Sequence, residues 1–364
     1  MSGGGSFDRV KCVVWDLDNT VWDGIAVEAA TDALPDPRPA VLAAVDALAR
    51  RGVVSSIASR TDPALLDRVR ADARLGDRFL VPQVGWQDKS ESLRRIAADL
   101  GIGVNTLVLV DDSPYERAEV AAMLPEVLVL APEAVPDLVD ALGSGPVTDE
   151  AARRVARYRE EALRRQAGAE FTGSREEFLR SCRMRLRLAA AGPAEVDRFV
   201  ELATRTHRLN SSGLALSADR ARELVADAGH VLPVAWLDDR FGGYGMIGAA
   251  LVERDQDQHR WWVRLLALSC RVAGRGVSLG FLRWLMDRAR ADGATELRVD
   301  LRATSANLEL RLLFRQAGLR VLDSDGPVDP AAGPVTLSRS LARPLPAYPS
   351  WLELVEPEDA SSVG

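Results

Sequence analysis

The segment VVWDLDNT ends an apolar run on two carboxylates, Asp16 and Asp18, which strand alternation projects from the same side of the chain. A second apolar run, LVLV, ends on Asp111 and Asp112. If these runs are neighbouring strands the four acids converge, and clustered carboxylates are untenable without a cation. Hard oxygen ligands with phosphate nearby point to Mg2+. Ser59, after the run VVSSIA, and Lys89, opening a helical pattern, supply the donors such a site needs for phosphoryl oxygens. Composition singles out the lysine as well: of 46 basic residues only Lys11 and Lys89 are lysines. A narrow phosphate pocket accepts a compact ammonium and rejects a planar guanidinium, so arginine is not expected to replace Lys89. Lys11, beside a strand start, carries no such expectation.

A second group of residues lies in the C-terminal half. The run WWVRLLALSC leads into RVAGRG, where Arg271, Gly274 and Gly276 form R-x-x-G-x-G before a long helix. Glycines in that place let backbone N–H groups approach an anion at the helix N-terminus. Cys270 sits at the strand end immediately before this loop, where the adjacent arginine and the helix N-terminus favour a thiolate. Free cysteines are more often small buried residues, and that reading is kept for Cys12, inside an apolar strand, and Cys182, after a helix. The polar cluster RTHRLNSS holds His207 and Asn210, the local candidates for orienting or deprotonating a thiol. DRFGGYGMIG reads as a tight hairpin turn.

The elements that must position these groups fall into two patterns. From Lys11 to about Leu142, apolar runs alternate with helix-period segments, as in a parallel sheet covered by helices on both faces. Strands are expected at Lys11 to Leu17, Val53 to Ile57, Thr106 to Val110 and Val127 to Leu130, with helices starting near Pro39, Pro63, Lys89 and Pro114. Some twenty residues separate DLDNT from the next helix, which leaves little room for a cap over the site. GSGP at Gly143 to Pro146 breaks the pattern, and a charged helix from about Asp149 to Arg165 bridges to a second module. That module is expected as strand Met184 to Ala189, helices from Ala194 and Ala218, strands Val231 to Leu237, Gly245 to Glu253 and Trp261 to Ser269, a helix from Val277, strand Glu296 to Asp300, and a helix from Ser305. Successive strands with short turns imply antiparallel pairing. The resulting division is a first domain over 8–145, a helical linker over 146–182, a second domain over 183–342, and a proline-rich, acidic tail over 343–364 that is expected to fray.

Composition bounds the partners. The 364 residues suit two domains, and a net charge of -7 argues against general nucleic-acid binding. Three cysteines without metal-ligand spacing fit a reducing compartment. The start MSGGGSFDRVK lacks the apolar stretch of a signal peptide and charge interrupts every apolar run, so a soluble, cytoplasmic protein away from membranes is expected.

Taken in order, DxDxT at Asp16 to Thr20, the strand-end Ser59, the helix-start Lys89 and the pair Asp111 and Asp112 resemble the haloacid dehalogenase (HAD) superfamily of phosphatases. The resemblance implies that Asp16 attacks phosphorus, that Asp18 protonates the leaving oxygen and then activates water, and that Asp111 holds Mg2+ with Asp16 and the Asp18 backbone carbonyl. Ser59, Lys89 and Thr20 would bind the phosphoryl group, and Asp112 is a further candidate. The strand, glycine loop, helix, strand and helix of the second module resemble the GNAT acyltransferase fold, whose corresponding loop holds the pyrophosphate of coenzyme A. The implied fold class is α/β, a HAD-like doubly wound parallel sheet followed by a GNAT-like α+β domain.

This combination is similar to the FkbH-type glyceryl transferase/phosphatases of polyketide pathways. The likeness rests on KCVVWDLDNTVWDG, SIASR, DKSESLRRIA, LVDDSPYERAEV, RTHRLN, DRFGGYG and LSCRVAGRGV. It implies that a phosphoglyceryl group from 1,3-bisphosphoglycerate is taken onto Cys270, dephosphorylated at Asp16, and passed to the phosphopantetheine thiol of an acyl carrier protein. His207 and Arg208 stand where the family carries Asn-Gln, Gly243 replaces an acid, and the segment ending at Asn307 lacks a lysine. These departures leave room for another phosphorylated acyl donor. Two further readings remain open: a carrier-protein docking module with phosphatase activity, and a HAD phosphatase joined to a coenzyme A-dependent N-acetyltransferase.

Overall fold

A computed structural model describes residues 9–28, 33–143, 149–322 and 333–355. The break expected at Gly143 to Pro146 falls, after Gly143 itself, outside the described residues, as does the tail beyond 355. The chain divides into two compact units, Met1–Phe171 and Thr172–Gly364.

The first unit contains β1 (Cys12–Trp15), α1 (Pro39–Arg50), β2 (Val54–Ser59), α2 (Leu65–Ala71), β3 (Gln83–Val84), α3 (Lys89–Leu100), β4 (Leu107–Val110), α4 (Pro114–Met123), β5 (Leu128–Leu130), α5 (Val135–Gly143) and α6 (Asp149–Glu170). The strands form a parallel sheet in the order β3-β2-β1-β4-β5. Alternation along β1 explains the layers. Val13 and Trp15 join the core beneath Val41, Val45, Leu48 and Leu138, whereas Cys12 and Val14 join Leu93, Ile96, Ala97 and Val120 on the other side. A strand buried on both faces must be apolar throughout, which is why CVVW reads as an unbroken run. The expected helix starts at Pro39, Lys89 and Pro114 hold, while the third proline, Pro63, precedes a turn and α2 begins at Leu65. Two elements of this unit were not foreseen: β3, too short to show a period, and α5.

The second unit contains α7 (Arg175–Ser181), β6 (Met184–Ala190), α8 (Val196–Arg205), α9 (Ala218–Ala226), β7 (His230–Val231), β8 (Pro233–Asp239), β9 (Gly242–Asp255), β10 (Arg260–Leu268), α10 (Val277–Ala291), β11 (Glu296–Arg302), α11 (Leu308–Gln316), β12 (Arg320–Val321), β13 (Pro334–Ser340) and β14 (Leu352–Val355). Its mixed sheet runs β12-β13-β11-β10-β9-β8-β6-β14, with β7 beside β9. The ladder from β6 through β10 is antiparallel as expected, and the β10–β11 and β6–β14 pairings are parallel. Helix α10 lays Val277, Phe281, Leu282, Leu285, Met286 and Ala289 on one face of the sheet. This is the expected fold class: a doubly wound parallel sheet followed by a mixed-sheet α+β unit. No helix of the described residues is long and apolar enough to cross a membrane.

Four expectations need correction. The single strand Val231 to Leu237 is interrupted between β7 and β8, where Pro233 has no N–H to give to a ladder. The helix expected from Ser305 begins at Leu308, because Thr304 and Asn307 exchange side-chain to backbone hydrogen bonds of 3.0 and 3.3 Å that hold a turn instead. Most substantially, the segment after Arg343 does not fray within the described residues. Leu352–Val355 pairs with β6 as β14, Leu352 is buried, and Trp351 Nε1 donates to the Arg275 carbonyl at 2.8 Å. Gly280 permits this docking, since a Cβ there would lie 2.7 Å from Leu352 Cδ2. The helical stretch expected as a linker also divides, with α6 in the first unit and α7 in the second.

If β14 is an integral strand, Leu352→Ala lowers the unfolding free energy of the second unit by about 2 to 3 kcal/mol. Leu354→Ala, at an exposed position of the same strand, changes it by less than about 0.5 kcal/mol. Urea denaturation distinguishes the two variants, and equal, negligible effects would mean a frayed tail.

Candidate functional site

Because β1 lies between β2 and β4, the carboxyl ends of three parallel strands bring their terminal residues together, where open α/β sheets bind ligands. Asp16 follows β1 directly, and its N–H donates to Val110 O at 2.9 Å. Lys89 is the first residue of α3, and only 1% of its side chain is exposed. Its Nζ lies 2.7 Å from Asp16 Oδ1, 2.9 Å from Asp111 Oδ2 and 2.8 Å from Glu116 Oε2, and donates to Ala58 O at 2.8 Å. A small tetrahedral ammonium can be approached from several sides at such distances, whereas a planar fork cannot. This is a physical reason for lysine in a chain that otherwise favours arginine.

The cluster is overcharged. Lys89 offsets one of three carboxylates, and a further cation, Arg60, stands 3.7 Å from Glu116 Oε1. Burial, opposed by the Lys89 charge and reinforced by Asp111, pushes the Asp16 carboxyl up to about 7. Burial likewise raises the Glu116 carboxyl. The same burial disfavours the Lys89 charge, but the surrounding carboxylates outweigh it and hold the ammonium above its ordinary range.

One oxygen of Asp111 accepts from Ser113 N–H at 2.9 Å, while the other, Oδ2, is buried 2.9 Å from the Lys89 ammonium. Asp16, Asp111 and Glu116 each present an oxygen within 4.8 Å of the others. Three carboxylates facing one ammonium form a hard oxygen set short of positive charge, which fits a divalent metal ion that the cluster could hold.

The other expected residues are distributed differently. Asp18 does not join the cluster by its side chain; Oδ1 accepts from Trp22 Nε1 at 2.8 Å and from Ala26 N–H at 2.9 Å, fixing the loop after β1. Asp112 is exposed. The expected convergence of Asp16, Asp18, Asp111 and Asp112 is therefore replaced by Asp16, Asp111 and Glu116. Thr20 is fully buried, and its hydroxyl accepts from Asp112 N–H at 3.1 Å, tying the loops after β1 and β4 together. Ser59 closes β2 beside Ala58, whose carbonyl receives Lys89.

In the second unit, Cys270 is exposed in a short 3-10 turn after β10, while Cys12 and Cys182 are buried. Neither Cys270 nor the exposed His207 makes a side-chain hydrogen bond among the described residues, so no thiol–imidazole pair is formed. Asn210 is not available to a thiol. Its amide nitrogen donates to Ala203 O and Thr206 O at 3.1 Å each, and its oxygen accepts from Gly213 N–H at 2.8 Å. Asn307 is also structural: it is 2% exposed and donates to Asn210 O at 3.1 Å and Arg302 O at 2.9 Å.

These two asparagines secure a segment wedged between separating strands. β10 and β11 pair from Arg260↔Glu296 to Val263↔Val299, and at the same level the β9–β10 ladder shifts register between Val263 and Leu265. In the gap, Leu268 N–H donates to Leu209 O at 2.8 Å, Ser211 N–H to Leu266 O at 2.9 Å and Arg302 N–H to Ser211 O at 2.8 Å.

The R-x-x-G-x-G loop also turns inward. Arg271 donates to Tyr244 O at 2.9 Å and to Ser269 Oγ at 3.3 Å. Gly276 has φ +82°, and a Cβ there would sit 2.9 Å from Pro349 Cγ, so the chain's own packing requires the glycine. Gly274 N–H donates to Glu309 Oε1 at 3.1 Å.

No family model matches the chain, and no curated protein matches it. Among solved structures, the N-terminal part of protein BF1531 from Bacteroides fragilis, containing a phosphatase domain complexed with Mg, is 23% identical over 39% of this chain and 42% of its own, at a TM-score of 0.32. The chain thus spans less than half of that protein's length. The ribosomal-protein-S18-alanine N-acetyltransferase of Escherichia coli is 12% identical over 43% of this chain and 94% of its own, at a TM-score of 0.33. The IAA acetyltransferase of Bacillus cereus is 14% identical over 43% and 99%, at a TM-score of 0.31. Likenesses this partial add no weight to the site geometry.

Two residues escaped the sequence reading. Glu116 sits at the third position of α4, after the helix-capping Ser113 and Pro114, so the pattern S-P-x-E one turn beyond the acidic pair could have revealed it. Glu309, in the first turn of α11, carried no signal, since its contact with Gly274 is long-range.

Because a cation must displace the Asp16 proton, divalent-ion affinity should rise with pH, by up to about tenfold per unit below about 7, and level off above it. The sign for stability is opposite. A carboxyl raised from 3.8 to about 7 favours the ion-free fold at low pH, and that contribution is lost as pH rises through about 7. Titration calorimetry with Mg2+ across this range checks the first statement, and a flat profile contradicts it.

Proposed function

We propose that the first unit is a Mg2+-dependent phosphatase with Asp16 as nucleophile, and that the second is an acyltransferase using the exposed Cys270. The observation that carries the reading is the buried Lys89 ammonium among Asp16, Asp111 and Glu116 at a strand-end site. Held by those carboxylates, with the Asp18 backbone carbonyl as a further ligand, Mg2+ would supply the positive charge that lets an anionic phosphoryl group approach.

Lys89 engages Asp16 Oδ1, which leaves Oδ2 as the attacking oxygen. An Asp16 O–P bond forms as the bond from phosphorus to the leaving oxygen breaks, and Asp18, whose Oδ1 is held by Trp22 and Ala26, would give that oxygen its proton from Oδ2. Asp18 then takes a proton from water, whose oxygen attacks phosphorus and releases phosphate and free Asp16. Ser59 and Lys89 would steady the phosphoryl oxygens, where loss of one donor costs about 3 to 4 kcal/mol of barrier.

The finer reading is glyceryl transfer. Cys270 Sγ attacks the acyl carbon of 1,3-bisphosphoglycerate, the C–S bond forms, and the acyl C–O bond breaks with its electrons leaving on phosphate. Asp16 removes the remaining phosphate, and the pantetheine thiolate of an acyl carrier protein exchanges with the Cys270 thioester. Exposure of Cys270 alone among the cysteines supports this choice of thiol.

Asp16→Asn should lose phosphatase turnover by about a thousandfold or more and accumulate a phosphorylated acyl adduct. Cys270→Ala should hydrolyse p-nitrophenyl phosphate normally yet acquire no hydroxylamine-labile mass from 1,3-bisphosphoglycerate. Intact-protein mass spectrometry reads both. An undiminished rate in Asp16→Asn removes the nucleophile assignment. Normal carrier charging by Cys270→Ala removes the covalent step, and transfer of the acetyl group of acetyl-CoA to an amine, with release of free coenzyme A, would favour the N-acetyltransferase reading.

A further inference from the structure

The donor at the centre of the glycine loop is already occupied by an anion of the protein's own. Gly274 N–H donates to Glu309 Oε1 at 3.1 Å, while Glu309 Oε2 pairs with Arg208 Nη2 at 3.1 Å. On the other side of the same residue, Arg175 Nη2 donates to Gly274 O at 2.8 Å. A carboxylate held by one backbone N–H and one guanidinium is bound as a phosphate oxygen pair would be. The partners come from distant parts of the unit: Arg208 lies in the segment after α8, Gly274 lies before α10, and Glu309 lies in the first turn of α11.

We propose that Glu309 is a built-in competitor that gates the 271–276 loop against the phosphate group of a phosphopantetheine-type thiol carrier. The proposal deepens the acyl-transfer reading above and rests on it. In the closed state the Glu309 carboxylate takes the Gly274 N–H and neutralises Arg208. When a phosphate displaces it, both donors pass to the ligand and the carboxylate swings toward solvent. The latch is suited to opening. Arg208 and Glu309 have side-chain exposures of 62% and 36%, so water can solvate each when they part, and exposed ion pairs are weakly held. Arg208 therefore changes partner, from an internal carboxylate to an external phosphate, which assigns it a specificity role that His207 next to it does not share.

A competing internal state reduces apparent affinity by the fraction of molecules that are open. Removing the carboxylate's charge should therefore tighten phosphate binding, in contrast to the loss expected from deleting a strut. Glu309→Gln should bind coenzyme A and 4′-phosphopantetheine about three- to tenfold more tightly than wild type by titration calorimetry. Arg208→Ala should weaken both. The Arg208→Ala penalty should be larger in the Glu309→Gln background, because there the guanidinium serves only the ligand. Pantetheine without its phosphate should show none of these differences. Near-UV circular dichroism and melting temperature confirm that each variant is folded, and Glu309→Ala provides a second test should Gln retain the Gly274 contact. If wild type binds the two phosphorylated probes and both Glu309 variants bind them equally or more weakly, Glu309 is a strut and the gate is wrong. If neither wild type nor any folded variant binds them, the loop is not a phosphate site, and the acyl-transfer reading falls with the gate.

Discussion

The contact on which the first unit's chemistry depends is the Lys89 ammonium, buried and within 2.9 Å of three carboxylates from separate parts of the chain. Asp16 and Asp111 end adjacent strands, Glu116 opens a helix, and Lys89 opens another. None of these charges could be buried alone, since breaking such a cluster by removing one partner typically costs about 3 to 5 kcal/mol. The sheet order β2-β1-β4 and the helix starts at Lys89 and Pro114 are therefore tied to one electrostatic arrangement. The remaining negative charge is the feature that links stability to chemistry: it makes the cluster costly for the fold and receptive to a cation.

The second unit solves a different problem. Its sheet separates beyond Val263 and Val299, which exposes backbone donors and acceptors that must be satisfied. Leu209 to Ser211 supplies them, and the buried amides of Asn210 and Asn307 hold that segment in place. The polar cluster RTHRLNSS thus has a division of labour. Asn210 and Ser211 are structural, Arg208 reaches the glycine loop through Glu309, and His207 remains exposed. Trp351 and Pro349 back the same loop from the C-terminal segment, so the loop's shape depends on residues more than seventy positions away.

Much of this was legible in the sequence where the signal is local. CVVW and LVLV could only be strands buried on both faces, and each ends on an acid that the parallel register carries to the same edge. Lys89 was marked by its rarity. What sequence alone could not supply was the direction of side chains whose partners are distant. Asp18 looked equivalent to Asp16 by alternation, but β1 ends at Trp15 and the following loop turns Asp18 toward Trp22. Likewise R-x-x-G-x-G predicts outward donors, and only the tertiary fold shows Arg271 and the Gly274 N–H engaged by Tyr244 and Glu309. The C-terminal segment was misread because proline-rich composition describes its approach to β6 rather than the strand it then forms.

The central claim is that Asp16, held by Lys89, carries the phosphoryl group. Borohydride reduction of protein quenched during turnover of a phosphate ester with Mg2+, followed by peptide mass mapping, tests it directly, because an aspartyl phosphate is reduced to homoserine. The account predicts homoserine at position 16 in wild type and none when Mg2+ is withheld. Reduction at another carboxylate, or turnover with no reducible intermediate under conditions that trap an acyl phosphate, would contradict it.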